Sequence, residues 1–168
     1  VEQRPATGTE CELAQNMAFP REFLEIWERV RPFTMTSPER GHALWSAVNT
    51  LVDNDIPGAI VECGVWRGGS VMLAALTLIQ RGAANRHLIL FDTFTGMTEP
   101  GPDDIDFHGR SADTLMQGAH GEALAELVQA AAPLDMVRAA IAGTGYDMRM
   151  VRFVAGDVRE TLSKTQTL

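Results

Sequence analysis

The segment Ala59-Ile-Val-Glu-Cys-Gly-Val-Trp-Arg-Gly-Gly-Ser is the feature that most constrains how this chain can fold. Its first three residues form a continuous apolar run, which is typical of a strand buried on both faces of a parallel sheet. Gly64, Gly68 and Gly69 then predict a tight turn in which a ligand can approach the main chain. Ser70 is predicted to cap a helix over residues 71–81, whose free N–H groups face the turn. Together they predict the nucleotide-binding corner of a doubly wound α/β domain.

The rest of the chain continues this α/β pattern. Strands are predicted at 59–64, 87–92 and 151–155, and right-handed crossovers give them the sheet order 3-2-1. Helices are predicted at 21–31, from Ser37-Pro38 onward, at 111–117, 120–131 and 133–142, and from 157, with a long loop at 93–109.

These elements divide the chain into three parts: a loose arm (1–18), N-terminal helices (19–58) and a Rossmann-like cofactor-binding half-domain (59–168). We expect a parallel sheet with helices on both faces, of which only the N-terminal half is present. The first strand then lies at a bare edge, and such edges invite pairing between molecules. The isolated chain is therefore predicted to self-associate or to be poorly soluble.

Charge and cysteine content exclude several classes of partner. The net charge is −8 and no run of basic residues occurs, which argues against nucleic acid. Nothing resembles a signal peptide or an apolar run of about 20 residues, so no membrane partner is predicted. Cys11 and Cys63 lie far apart in the sequence, and we expect free thiols and a cytoplasmic location.

Two acidic residues narrow the choice of nucleotide. Trp66 occupies the place of the second glycine in a dinucleotide fingerprint, and no Lys-Ser/Thr follows the turn as in a P-loop. Glu62 precedes the turn and can face an ammonium group. Asp92 lies 28 residues after Gly64, where such a domain places a carboxylate on a ribose diol. S-adenosylmethionine, which has a ribose, an amino-acid end and a positive charge, fits these groups better than a pyrophosphate does.

Several longer motifs resemble the macrocin O-methyltransferase family. They are Phe33-Thr-Met-Thr-Ser-Pro-Glu-Arg, Ile56-Pro-Gly, Val61-Glu-Cys-Gly-Val-Trp-Arg-Gly-Gly-Ser, Phe91-Asp-Thr-Phe-Thr-Gly-Met, Phe107-His-Gly-Arg-Ser-Ala and Val151-Arg-Phe-Val-Ala-Gly-Asp-Val. The resemblance implies a class I methyltransferase fold, and an S-adenosylmethionine- and metal-dependent enzyme that methylates a sugar hydroxyl of a natural product. Thr95 and Thr98 depart from the acid and the proline common in the family, so acceptor contacts are expected to differ.

The residues and the resemblance together predict a set of cofactor contacts: Thr36, Ser37, Glu62, Gly64, Val65, Trp66, Arg67, Gly68, Ser70, Asp92, Thr93, Phe94, Gly156, Asp157 and Val158. Four of them have competing structural roles. Trp66 can instead pack under the turn, and Ser37 can instead serve as a helix cap. Arg67 can bind the methionyl carboxylate or remain solvated. Asp157 can contact the adenine amino group, cap the next helix, or do both.

The resemblance also implies Mg²⁺, which the family holds with an aspartate after a later strand and with a later Asp-Asp pair. Neither element occurs in these 168 residues, so we expect no metal ligand in this chain and no catalysis by it alone. Asp103, Asp104, Asp106 and His108 form an acidic group, but acids in a Gly-Pro loop are more often simply solvated. The alternatives are a non-catalytic paralogue acting as a protein-interaction subunit and, less favoured, an NAD-binding oxidoreductase. A sugar-bearing small molecule is the expected partner, and a homo-oligomer stays open.

Overall fold

A computed structural model of the protein describes residues 19–97, 100–106, 108–117 and 130–164. The arm predicted at 1–18 and nearly all of the helix predicted at 120–131 lie outside the described residues. The other predicted helices and strands are present, and their ends differ from the predicted ends by one or two residues.

The described part of the chain begins with two helices that form one side of the core. Helix α1 (Arg21–Val30) and helix α2 (Pro38–Asp53) are joined by a single 3₁₀ turn, Arg31–Phe33. The predicted apolar face of α1 is buried, with Phe23 and Val30 fully inaccessible. Ser37 occupies the N-cap position of α2 as predicted, but its hydroxyl bonds to the Glu39 carboxylate instead of to a backbone N–H.

A three-stranded parallel sheet carries the rest of the structure. It consists of β1 (Ile60–Cys63), β2 (Leu88–Asp92) and β3 (Val151–Ala155), in the order β1-β2-β3, which confirms the predicted order. Strand β2 is buried on both sides, because Leu88, Ile89, Leu90 and Phe91 are all inaccessible.

Strand β1 differs from the prediction of burial on both faces. Among the described residues it pairs only with β2, so it lies at the sheet edge. Val61 is 51% exposed and the Cys63 thiol is free and exposed. A continuous apolar run is typical of a strand that has a neighbouring strand on each side. The run alone does not show whether both neighbouring strands are present. Self-association through this edge stays a prediction.

Helix α3 (Gly69–Gln80) connects β1 to β2 and is almost entirely buried, with Leu73, Ala75 and Leu78 in the core shared with α1 and α2. Among the residues that the structure describes, three further helices follow: α4 (Ala112–Gln117), α5 (Leu134–Ala142) and α6 (Val158–Lys164). No helix within the described residues has both the length and the apolar content that crossing a bilayer requires.

Candidate functional site

The carboxyl ends of the three strands meet at one edge of the sheet. The Gly64 N–H donates to the Phe91 carbonyl at 2.8 Å, and the Gly156 N–H donates to the Asp92 carbonyl at 2.9 Å. The loops after β1, β2 and β3 are therefore held side by side. In open parallel sheets ligands bind at this edge, and most of the predicted site residues lie here.

The turn after β1 has a strained backbone. Trp66 adopts φ 48°, a left-handed conformation that is rare for an aromatic residue. Gly68 has φ 89° and is the N-cap of α3, which begins at Gly69. The prediction that Ser70 caps this helix is wrong, since Ser70 lies inside the first turn and its hydroxyl bonds to the Glu62 carboxylate. Of the first N–H groups of α3, that of Val71 also bonds to the Glu62 carboxylate, so Glu62 is tied to the start of this helix.

Asp92 fastens this turn to the second strand. Its Oδ2 accepts from the Val65 N–H at 2.6 Å and from the Trp66 N–H at 3.2 Å, while Oδ1 accepts from the Phe94 N–H at 2.7 Å. Bonds from three backbone donors to one carboxylate stabilise the strained conformation of Trp66. The carboxylate still lines a cavity at the sheet edge, so it remains within reach of a ligand. Its contact with a ribose stays a prediction.

Glu62 is a largely buried acid with an unsatisfied oxygen. The pKa of Glu62 is raised to about 7, chiefly by burial and in smaller part by the nearby Asp92 charge, and this value already includes the lowering by bonds from the Ser70 hydroxyl and the Val71 N–H. Within the described residues, the buried Oε2 atom has no hydrogen-bond partner. A buried carboxylate oxygen without a donor is costly, and a cationic ligand at this point would remove that cost.

Two cavities open at this edge of the sheet. The first, which we call the strand-end cavity, has a volume of about 260 Å³ and includes Gly64, Asp92, Thr93, Gly156, Asp157 and Val158 in its wall. The second, which we call the helix-start cavity, has a volume of about 250 Å³ and includes Thr36, Glu62, Gly64, Val65, Trp66 and Ser70. Gly64 lies in both walls, so the two cavities meet at the end of β1.

The segment Thr34 to Thr36 covers the start of α3. A Cβ atom at Gly69 would lie 2.6 Å from the Phe33 carbonyl oxygen and 2.6 Å from the Thr34 Cβ, distances that real Cβ atoms do not reach. The absence of a side chain at Gly69 therefore permits the close approach that forms one wall of the helix-start cavity.

We expect Gly69→Ala to displace this segment. Overpacking against a backbone carbonyl typically costs about 1–3 kcal/mol, and the helix-start cavity would change shape. Urea unfolding should show a loss of stability in that range. Gly82→Ala is the control for a backbone change without a steric clash, because nothing lies within 4 Å of a Cβ there, although its φ of 65° adds strain of its own. A Gly69→Ala protein as stable as the parent would contradict the tight contact.

Asp157 is engaged more fully than the sequence indicates. Its Oδ1 accepts from the Arg159 N–H at 2.8 Å, which confirms the helix-capping role at the start of α6. Both carboxylate oxygens also bind the Arg159 guanidinium, and this lowers the pKa of Asp157 to about 2. The adjacent Val158 is the first residue of α6 and lines the strand-end cavity, so its N–H is one of the free donors of that helix.

The acidic side chains in the loop after β2 form hydrogen bonds within the loop itself. Asp106 Oδ1 accepts from the backbone N–H groups of His108 and Arg110, and Oδ2 pairs with the Arg110 guanidinium at 2.7 Å. Asp104 Oδ2 accepts from the Gly101 N–H at 2.7 Å. In the part of the chain that the structure describes, no three His, Cys, Asp or Glu side chains come together as a metal site.

Four predicted residues do not line either cavity: Ser37, Arg67, Gly68 and Phe94. Phe94 is buried in the core, and the Arg67 guanidinium lies 4.8 Å from the centre of the Trp66 ring. The structure adds residues that the sequence reasoning did not select, notably Arg40 in the helix-start cavity and Arg159 in the strand-end cavity. The Ser37-Pro38 helix start could have indicated Arg40, because it places that residue in the first turn of α2.

The strand–turn–helix corner, the parallel strands and the two cavities at their carboxyl ends define a Rossmann-like α/β domain with a ligand site at the strand ends. A family model described as macrocin O-methyltransferase (TylF) matches residues 17–167. The chain belongs to the macrocin O-methyltransferase family.

Two curated relatives come from Streptomyces. The chain is 32% identical over 150 residues to 8-demethyl-8-(2,3-dimethoxy-alpha-L-rhamnosyl)-tetracenomycin-C 4'-O-methyltransferase of Streptomyces olivaceus. That match covers 89% of this chain and 53% of the relative. It is 33% identical over 70 residues to demethyldecarbamoylnovobiocin O-methyltransferase of Streptomyces niveus. That match covers 42% of this chain and 27% of the relative.

Among solved structures, the O-methyltransferase NovP superposes with a TM-score of 0.63 at 27% identity, over 80% of this chain and 52% of that one. The chain spans about half the length of the tetracenomycin relative and of NovP.

Proposed function

We propose that this chain forms the cofactor-binding part of an S-adenosylmethionine-dependent O-methyltransferase that acts on a sugar hydroxyl of a natural product. Membership of the macrocin O-methyltransferase family supports this reaction class. The names of the relatives support the acceptor class, since one names a rhamnosyl-tetracenomycin and the other demethyldecarbamoylnovobiocin.

The observation that carries the proposal is the unsatisfied oxygen of Glu62 in the wall of the helix-start cavity. An α-ammonium group placed there donates to Oε2 and neutralises a carboxylate that burial disfavours. A nicotinamide dinucleotide has no ammonium group that could donate a hydrogen bond to this oxygen. The amino-acid end of S-adenosylmethionine therefore fits the helix-start cavity, and its nucleoside fits the adjoining strand-end cavity.

The strand-end cavity offers partners for a nucleoside. Asp92 accepts three backbone N–H bonds and has lone-pair capacity left for a ribose hydroxyl. The Val158 N–H can donate to an adenine ring nitrogen, and the Asp157 carboxylate can accept from the adenine amino group beside Arg159. When bound, the cofactor supplies an electrophilic methyl group. The residues of this chain bind and orient it, which is how positioning contributes to methyl transfer.

The requirement for Mg²⁺ stays a prediction. The described residues offer no set of three His, Cys, Asp or Glu ligands for it. The cytoplasmic location and a possible homo-oligomer also stay predictions.

Calorimetric titration of the 168-residue chain tests the proposal. S-adenosylmethionine and S-adenosylhomocysteine are expected to bind, and NADH is expected not to bind, because the left-handed Trp66 occupies the place where a pyrophosphate needs glycine. Binding of NADH alone would favour the oxidoreductase alternative. Binding of no nucleotide, together with a folded chain by circular dichroism, would favour the non-catalytic paralogue.

A further inference from the structure

The helix-start cavity contains a positive charge as well as a negative one. Arg40, in the first turn of α2, lies in the same wall as Glu62, which comes from the end of β1. The two side chains make no ion pair with each other, and Arg40 is not among the groups that shift the pKa of Glu62. The space between them is thus bordered by two separate, opposite charges.

The Arg40 guanidinium is available for a ligand. In the described ranges, no hydrogen bond or ion pair engages it. The adjacent acid, Glu39, is already used, because its carboxylate accepts from the Ser37 hydroxyl and from its own backbone N–H. A guanidinium with free donors matches a carboxylate in charge and in bidentate geometry.

Arg67 is the competing candidate from the sequence, and the structure does not favour it. Its guanidinium stacks on the Trp66 ring and does not line the helix-start cavity. Arg40 does line it, together with the start of α3, whose positive dipole end also favours an anion.

We propose that Arg40 is a positioning residue that binds the carboxylate of the cofactor's amino-acid end, while Glu62 binds its ammonium group. The inference rests on the proposed function and deepens it, because it assigns the helix-start cavity to a zwitterionic α-amino acid. Arg40 thereby fixes the direction in which the thioether or sulfonium side chain extends toward the strand-end cavity.

The test compares two ligands that differ only in the amino-acid end. S-adenosylhomocysteine carries it, and 5′-methylthioadenosine lacks both the ammonium and the carboxylate. Arg40→Ala is expected to weaken S-adenosylhomocysteine binding about tenfold, which corresponds to the loss of a charge-assisted hydrogen bond. Binding of 5′-methylthioadenosine is expected to change by less than about twofold. Arg40→Lys should give an intermediate affinity for S-adenosylhomocysteine, since lysine keeps the positive charge but lacks the planar guanidinium that binds a carboxylate through two hydrogen bonds.

Arg21→Ala is the matched control, because Arg21 is an exposed arginine whose partner is Glu25 on the same helix. Unchanged S-adenosylhomocysteine affinity in Arg40→Ala would overturn the inference and leave the proposed function intact. Equal losses for both ligands would overturn it too, since they would indicate a structural role. If the unmodified chain binds neither ligand, the proposed function fails and this inference fails with it. Arg40→Lys supplies the same comparison if Arg40→Ala does not fold.

Discussion

Asp92→Ala is expected to destabilise the protein by about 3 kcal/mol and to abolish measurable S-adenosylhomocysteine binding. The carboxylate accepts from three backbone donors, the N–H groups of Val65, Trp66 and Phe94, and hydrogen bonds to charged groups contribute about 1.5–3 kcal/mol each. Because Asp92 is only partly buried, the expected loss of stability is well below the sum of the three hydrogen-bond contributions. The turn after β1 would also lose the bonds that hold Trp66 at positive φ.

Urea unfolding and calorimetry measure the two effects separately. Asp92→Asn is the informative partner variant, because it keeps the shape but replaces one acceptor oxygen by a donor, which faces backbone N–H groups. It should therefore be nearly as damaging as Asp92→Ala. Asp103→Ala, at an exposed acid outside both cavities, is expected to change stability by less than about 0.5 kcal/mol. A stable Asp92→Ala protein that fails only to bind ligand would show that the turn does not depend on this carboxylate.

S-adenosylhomocysteine affinity is expected to rise roughly tenfold between pH 6 and pH 8, and Glu62→Gln is expected to remove this dependence. In the free protein burial holds the pKa of Glu62 at about 7, so below that pH the group is mostly protonated. A bound ammonium favours the carboxylate and lowers its pKa, so binding releases a proton and is weaker at low pH. Above pH 8 the contribution of Glu62 should level off, until the ammonium group of the ligand loses its own proton and the affinity falls again.

The same group makes the opposite contribution to the stability of the unliganded protein. The folded-state pKa of Glu62 lies above the ordinary value of 4.5, so its contribution is fully present below that value and is lost as pH rises through about 7. Thermal unfolding should show the parent losing stability relative to Glu62→Gln from pH 5.5 to pH 8. Glu160→Gln is the control, at an exposed acid outside both cavities. A pH profile of binding that survives in Glu62→Gln would assign the titration to another group.

Much of the fold could be predicted because its signals are local. The apolar run, the glycine turn and the buried helix after it determine a β–α unit, and the spacing from Gly64 to Asp92 places an acid at the next strand end. Placing consecutive strands side by side with right-handed crossovers then gives the observed strand order. The signals at Ser37-Pro38 and at Asp157 each located a helix start correctly, since capping depends on neighbours in sequence.

What the sequence could not provide depends on contacts between distant segments. Ser70 was expected to cap its own helix, but tertiary packing places its hydroxyl on Glu62, and burial of that pair raises the Glu62 pKa. Sequence spacing assigned Asp92 to a ligand, whereas its position opposite the first turn makes it also the anchor of Val65 and Trp66. Arg40 is the last residue of the Phe33-Thr-Met-Thr-Ser-Pro-Glu-Arg motif, but the motif does not indicate that Arg40 shares a cavity with Glu62, which depends on the tertiary structure. Sequence alone thus determined the elements and their order, because those follow from short-range periodicity and chirality. Tertiary structure decided which charges face one another, because burial and distance across the fold are absent from any local pattern.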